Sequence, residues 1–264
     1  MPKPVAPRGR KWNWRLMARV IVWAGVAASL AWGAREVSAF LNSDPRFEFA
    51  CAGNQTNCAN LEIRGAKYAS QARIQSAFAN DFGGSVFKIP LAERRRRLLA
   101  VDWVNTASIS RLWPRGIAVT ITERTPVAFA KLPIGGTVRY RFSLIDGEGV
   151  LLSIPRGVRF RLPVISGVTE DQTETDRKLR VHAMQHLLED LGPQAKDISE
   201  INAASTVDLR LIAEVGGQAV ELWIGDQHYR SRYQHFVENY PEIRKHSDGA
   251  TVFDLRLDDR ILGK

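Results

Sequence analysis

The sequence predicts an α+β protein: an N-terminal transmembrane helix, a unit ordered strand–helix–helix–strand–strand, and a β-rich domain with two helices. Three observations carry this. Val20–Ala34, VIVWAGVAASLAWGA, is apolar and uncharged between Arg19 and Arg35. Between Leu61 and Glu123, hydrophobic residues recur first at helical spacing and then, from Val104, at period two. Beyond Pro126, short strand-like runs are punctuated by Gly, Pro and Asp, with two helical stretches among them.

A hydrocarbon core of about 30 Å takes roughly 20 helical residues. Val20–Ala34 alone spans about 22 Å, and a helix starting at Leu16 about 28 Å, if Arg19 snorkels to the headgroups. Trp12, Trp14, Trp23 and Trp32 lie near the two ends, where interfacial aromatics anchor a span. The expectation is a basic tail over residues 1–15 and an uncleaved anchor with its junction over 16–41. The alternative is a signal peptide cleaved after Val37-Ser38-Ala39, which would leave Phe40 as the new N-terminus. Lys3, Arg8, Arg10, Lys11, Arg15 and Arg19 precede the apolar stretch with no acid among them. The positive-inside rule puts that tail in the cytoplasm and the body across the membrane.

The 264 residues leave room for one or two cored domains after the anchor. The net charge is +9, and six positive charges lie in the tail and at the start of the anchor, so nine less six leaves +3 for the rest. The charge therefore sets topology and attraction to anionic lipid, and no nucleic-acid partner is expected. The two cysteines, Cys51 and Cys58, fall on the outer side. A close pair in an oxidising compartment reads as a disulfide, with two free thiols in a loop as the alternative. Further zinc ligands are missing, and no metal or cofactor is expected.

Taken in order, Arg46–Phe49 and Leu61–Arg64 read as short strand pieces flanking the cysteine-bearing loop. Ser70 is a candidate N-cap for a helix to about Asn80. Gly83-Gly84 breaks it, and Pro90 opens a helix over Pro90–Ala100 with Leu91, Leu98 and Leu99 inward. Val104–Leu112 and Ile117–Thr122 alternate as strands around the turn Trp113-Pro114-Arg115-Gly116. Pro126 marks a boundary. Arg139–Ile145 and Val150–Leu152 flank Asp146-Gly147-Glu148-Gly149 as a hairpin, and Leu162–Ile165 is a short apolar strand. Thr175–Leu191 reads as a helix with Leu179, Ala183, Leu187 and Leu191 in line, stopped by Gly192-Pro193. Strands follow at Ile198–Ile201, Val207–Ile212 and Ala219–Ile224. A helix over Tyr229–Tyr240 is interrupted at Pro241. The last strand, Val252–Leu257, puts Phe253, Leu255 and Leu257 on one face.

Several motifs are shared with a known family. They are Leu61-Glu62-Ile63-Arg64-Gly65, Pro90-Leu91-Ala92-Glu93-Arg94, and Trp103-Val104-Asn105-Thr106-Ala107 ahead of Arg111-Leu112-Trp113-Pro114. The most specific is Val119-Thr120-Ile121-Thr122-Glu123-Arg124-Thr125-Pro126-Val127-Ala128. Leu144-Ile145-Asp146 with Gly149-Val150-Leu151-Leu152, Leu162-Pro163-Val164-Ile165-Ser166-Gly167 and Phe253-Asp254-Leu255-Arg256 complete the set. In order and spacing the chain resembles the FtsQ/DivIB family of bacterial cell-division proteins over nearly its whole length. The resemblance implies a POTRA domain over 46–125, with a cysteine-bearing insertion at 50–60, and an FtsQ-type β domain over 126–264. It implies a non-catalytic, single-pass scaffold of the divisome in the inner membrane, concentrated at the septum. Such a scaffold binds FtsB and FtsL and helps control septal peptidoglycan synthesis, with no small-molecule substrate. The family's FtsB contact is carried over to Thr251, Val252, Phe253, Asp254, Leu255, Arg256 and Leu257, where an unpaired strand edge would template a partner strand. The insertion departs from the family pattern.

Other constellations carry blander readings. His182 and His186 sit one turn apart, but Ala183 stands where a zinc-protease helix has Glu, so a solvated helix face is expected. Asp146–Gly149 lacks the alternating oxygen ligands of a calcium loop and reads as a tight turn. Arg94–Arg97 reads as a solvated or partner-facing helix surface. Two other functions compete: a POTRA protein of outer-membrane assembly or secretion, and an anchored periplasmic enzyme. The first calls for several POTRA copies and a barrel, the second for a convergent polar site, and neither is found in the sequence.

Overall fold

The structure is a computed structural model that describes residues 14–51, 58–135, 138–246, 249–257 and 260–263. Residues 1–13 of the basic tail and 52–57 of the insertion lie outside the described residues. The chain divides into two compact units. One is drawn from Met1–Gly65, Gln71–Leu98 and Ala107–Ile121, the other from Ala66–Ser70, Leu99–Thr106 and Thr122–Lys264.

The first unit begins with α1, Trp14–Ser43, a helix of 30 residues. At 1.5 Å per residue it is about 45 Å long, which exceeds a bilayer core. Within it, Met17–Ser43 is long and apolar enough to cross a membrane and is not buried against the rest of the chain. A lone helix that is apolar on every side has lipid as its natural solvent, and α1 fits a single-pass anchor.

The strand expected at Arg46–Phe49 is instead a 3₁₀ turn over Pro45–Phe47. The cause is local: Pro45 fixes φ at the first position, and the Asp44 carboxylate accepts the Arg46 N–H at 2.8 Å. Only a bridge between Glu48 and Ser85 remains. β1 (Leu61–Arg64) is followed by α2 (Gln71–Ser76), which is shorter than expected, and a separate 3₁₀ turn over Ala79–Asp81. After Ser76 the backbone tightens to three-residue bonds, Phe78 N–H to Gln75 O at 2.9 Å, and buries Phe78 near Phe49 at 6.3 Å. Next come α3 (Leu91–Leu99), β2 (Val104–Leu112) and β3 (Gly116–Glu123). The sheet order is β1-β3-β2, with β1 parallel to β3 from Leu61↔Ile117 to Arg64↔Thr120. Phe49, Ile74, Phe78, Leu98, Ile117 and Val119 form the core of this unit.

The run Arg94–Arg97 is not uniformly solvated. Arg94 and Asp81 are buried together, with side-chain exposures of 6% and 8%. They pair through two bonds, Nε to Oδ2 at 2.5 Å and Nη2 to Oδ1 at 2.8 Å. Arg95 donates to the Ala107 carbonyl at 2.8 Å. Arg96 and Arg97 are exposed. Position 94 lies four residues before Leu98 on the inward stripe, so its long side chain enters the core and needs a carboxylate there.

The second unit is built on a nine-stranded sheet. Its strands are β4 (Pro126–Pro133), β5 (Tyr140–Asp146), β6 (Leu151–Leu152), β7 (Val164–Ser166), β8 (Ile198–Asn202), β9 (Leu209–Val215), β10 (Gln218–Gly225), β11 (Val252–Asp254) and β12 (Leu262–Gly263). The order is β12-β11-β10-β9-β8-β7-β4-β5-β6. One face is buried: Ala128, Ala130 and Leu132 on β4, Leu209, Leu211 and Ala213 on β9, and Val220, Leu222 and Ile224 on β10. Two helices cover that face, α4 (Glu174–Leu191) and α5 (Tyr229–His246). Val181, Met184, Leu187 and Leu191 on α4 and Tyr229, Tyr233, Phe236 and Tyr240 on α5 complete the core. Each such side chain contributes about 1.5–3 kcal/mol on full burial.

Three expectations change here. β4 was not expected; its Pro ends and small buried alanines hide a strand whose pattern is nonetheless strict. On α4 the inward line is Arg177, Val181, Met184, Leu187 and Leu191, while Leu179 is exposed. Arg177 is held there by the carbonyls of Gly149 at 2.7 Å and Gln172 at 2.5 Å. α5 runs through Pro241 to His246. Proline removes one helix hydrogen bond, and Ile243, two residues further, still packs on the core.

The motif Glu123-Arg124-Thr125-Pro126 has a structural reason within this unit. Glu123 Oε1 accepts the backbone N–H groups of Lys67, Tyr68 and Ala69 at 2.8, 2.7 and 2.7 Å. Arg124 Nη1 meets Asp146 Oδ2 at 2.7 Å, and Asp146 Oδ1 closes its own turn by accepting from Glu148 and Val150 at 3.0 and 2.8 Å. Gly149 has φ +80°, and a Cβ there would sit 2.6 Å from Glu174 O and 2.5 Å from Lys178 N. Only glycine lets this turn lie against the first turn of α4.

Candidate partner-binding edge

β11 pairs in parallel with β10, Glu221↔Val252 to Trp223↔Asp254. The bonds at its two ends are Glu221 N–H to Thr251 O at 2.7 Å and Leu255 N–H to Trp223 O at 2.9 Å. Backbone groups alternate along a strand. Thr251, Phe253 and Leu255 therefore face β10, and Val252 and Asp254 turn their N–H and C=O groups the other way. On that side lies β12, two residues paired as Phe253↔Gly263 and Asp254↔Leu262.

Phe253 and Leu255 are fully buried. Phe253 stands 5.0 Å from Phe236 and 6.1 Å from Tyr240, so β11 is fastened to α5 by an aromatic cluster. The expected strand Val252–Leu257 is shorter, ending at Asp254. The Asp254 carboxylate accepts the Arg256 N–H at 3.2 Å; alternation stops there, and Leu257, expected to point inward, is exposed.

Asp254 is buried and ion-paired with Arg256, Nη2 to Oδ2 at 2.6 Å and Nε to Oδ1 at 2.8 Å. That carboxylate raises the Arg256 pKa further above its ordinary value. The Arg256 guanidinium also lies 5.0 Å from the Trp223 ring centroid, and that of Arg210 lies 4.1 Å from it. Asp208 bonds Arg256 at 3.3 Å. This stack of cations on an indole was missed at the sequence level, because the contributing positions are spread over three strands and the loop before β9. Beside it, a cleft of about 160 Å³ is lined by His228, Ser231, Arg232, His235, Leu255, Leu257, Arg260 and Ile261.

The remaining sequence candidates are placed as follows. Cys51 and Cys58 are joined as a disulfide, with Cα atoms 4.8 Å apart. His182 and His186 are both exposed on α4, and His186 meets Tyr229 edge-on at 5.9 Å. Among the described residues no group of three or more His, Cys, Asp or Glu is placed to hold a metal ion.

Comparison with known proteins agrees with the layout. Residues 56–124 match the family profile of the POTRA domain, FtsQ-type. The cell division protein FtsQ of Koribacter versatilis is 31% identical over 209 residues, covering 77% of this chain and 58% of that protein. FtsQ of Geobacter sp. is 26% identical over 77% of this chain and 74% of its own length. FtsQ of Novosphingobium aromaticivorans is 29% identical over 93% of this chain and 69% of its own. The chain thus spans little more than half of the Koribacter protein. It carries an FtsQ-type POTRA domain and, over most of its length, is similar to the FtsQ cell-division proteins of several bacteria.

Proposed function

We propose that this protein is a non-catalytic scaffold of the bacterial divisome, held in the inner membrane by α1 with its N-terminus in the cytoplasm. Residues 46–125 are the POTRA domain and 126–264 the FtsQ-type β domain, both on the periplasmic side. At the septum it binds FtsB and FtsL and through them helps control septal peptidoglycan synthesis. The observation that supports this best is the edge at Thr251–Leu257. Among the described residues, the strand on the outward side of Val252 and Asp254 is the two-residue β12. A longer partner strand that displaces β12 gains more backbone pairs than it breaks. The buried Phe253 and Leu255 hold the template in place.

A fluorescent fusion imaged in dividing cells tests the role. A midcell band and, on depletion, filaments with undivided septa are expected. An even ring around the membrane with normal division on depletion would contradict it.

A further inference from the structure

The turn between β2 and β3 carries an aromatic that packs on one side and leaves most of its surface exposed. Trp113 is 74% exposed, with Leu112 at 40% and Phe40 of α1 at 49%. Phe40 and Trp113 belong to one patch at the outer end of the apolar helix. Phe47 stands 5.9 Å from Phe40 and 5.1 Å from Trp113. Phe87 lies 5.3 Å from Phe47 and 6.1 Å from Trp113. The join is fixed by polar bonds: buried Ser85 donates its hydroxyl to Leu41 O at 2.7 Å. Arg111 clamps the hairpin by donating to Val86 O and Ile89 O, each at 2.9 Å.

Depth follows from the helix. If the hydrocarbon ends near Arg35, Phe40 stands about 7.5 Å further out at 1.5 Å per residue, within a headgroup layer about 5–8 Å thick. The chain Phe40–Phe47–Trp113 then brings the hairpin tip to the same level. Indole prefers that layer, where its ring is half in hydrocarbon and its N–H is wet. The tip carries Arg111 and Arg115 with no acid between Ile109 and Gly116. The acids at the end of α1 are Glu36, Asp44 and Glu48, and Asp44 is neutralised by Arg46 at 2.8 Å.

We propose that the β2–β3 tip, Leu112-Trp113-Pro114-Arg115, docks on the bilayer that holds α1, with Trp113 at headgroup depth and Arg115 against anionic lipid headgroups. The contact makes a second point of attachment and fixes the tilt of the first unit on the membrane. It rests on α1 being the span, and the test separates the two.

The full chain is placed in nanodiscs of phosphatidylglycerol-rich lipid, with or without brominated acyl chains, as wild type and as Trp113→Phe. The difference spectrum reports Trp113; the remaining emission includes Trp23 and Trp32 of α1. The expected result is a difference emission quenched about twofold or more by brominated lipid. Arg115→Glu should weaken that quenching, and amide exchange over residues 111–116 in wild type should be slower in phosphatidylglycerol than in phosphatidylcholine discs. An unquenched difference emission beside quenched remaining tryptophans overturns the docking and leaves the anchor standing. If no tryptophan is quenched, the anchor reading falls as well. Quenching that Arg115→Glu leaves unchanged, with exchange equal in the two lipids, overturns the anionic contact.

Discussion

Removing the Asp81 carboxylate should unbalance the core of the first unit. Arg94 cannot lose its charge, and its guanidinium is almost fully out of water. In Asp81→Ala its two bonds to Asp81 are gone, leaving Glu93 Oε1 at 3.0 Å as its remaining carboxylate partner. Breaking a buried pair from one side typically costs about 3–5 kcal/mol. Glu93 is partly exposed and can follow the cation, which places the expected loss near about 3 kcal/mol. Replacing both partners, Asp81→Leu with Arg94→Met, removes both buried charges, so the double variant should be more stable than Asp81→Ala. The readout is native-state amide exchange of β1 and β3 in the full chain. A loss of about 3 kcal/mol corresponds to exchange faster by roughly two orders of magnitude. If Asp81→Ala leaves those amides protected, or the double variant is the worst of the set, the pair does not hold this core together.

Three further outcomes follow from single contacts. Gly149→Ala should cost at least about 1–2 kcal/mol by thermal melting, because the new Cβ meets the backbone of α4 at positive φ. Tyr233 is buried, and its pKa is pushed up to about 12, first by burial and then by the negative charge of Asp197. The unfolded chain ionises this phenol near 10 and the folded one does not. Stability should therefore be flat below pH 10 and fall by roughly 2–3 kcal/mol as pH rises to about 12. Tyr233→Phe should flatten that fall, measured by melting across the same range. Cys51 and Cys58, isolated without reductant, should resist alkylation until reduced. Replacing both by serine should cost about 2–3 kcal/mol at most, because the closed loop is short.

What could be read from the sequence was whatever a local pattern decides. Val104–Leu112 and Gly116–Glu123 follow a period of two, and the structure has strands there. Thr173, an N-cap accepting the Asp176 N–H at 3.1 Å, and Gly192, at φ +57°, bracket α4 almost where the pattern puts it. The losses came where tertiary partners override pattern. Arg94 and Arg177 look like surface residues, but each finds buried acceptors: Arg94 in Asp81, and Arg177 in loop carbonyls supplied from the Gly149 turn and residue 172. Leu179 looks inward on a helical wheel, yet the sheet lies against the stripe of Val181 and Met184. Pro126–Pro133 hides a strand because its Pro ends and its small buried alanines carry little strand signature. At the edge, the aromatic lock of Phe253 could be expected from its alternation. The covering β12 and the Arg210–Trp223–Arg256 stack could not, since they depend on which strands become neighbours.

The most direct test uses a donor that the sheet itself does not need. Leu255→Pro would break the internal bond to Trp223 O and so report on folding. Val252→Pro removes an outward N–H and leaves the β10 pairing intact. Titrating the full chain in nanodiscs with the FtsB–FtsL pair, Val252→Pro should weaken binding about tenfold or more, while Val252→Ala stays near wild type. Wild-type affinity in a folded Val252→Pro protein would contradict the edge as the site of partner pairing.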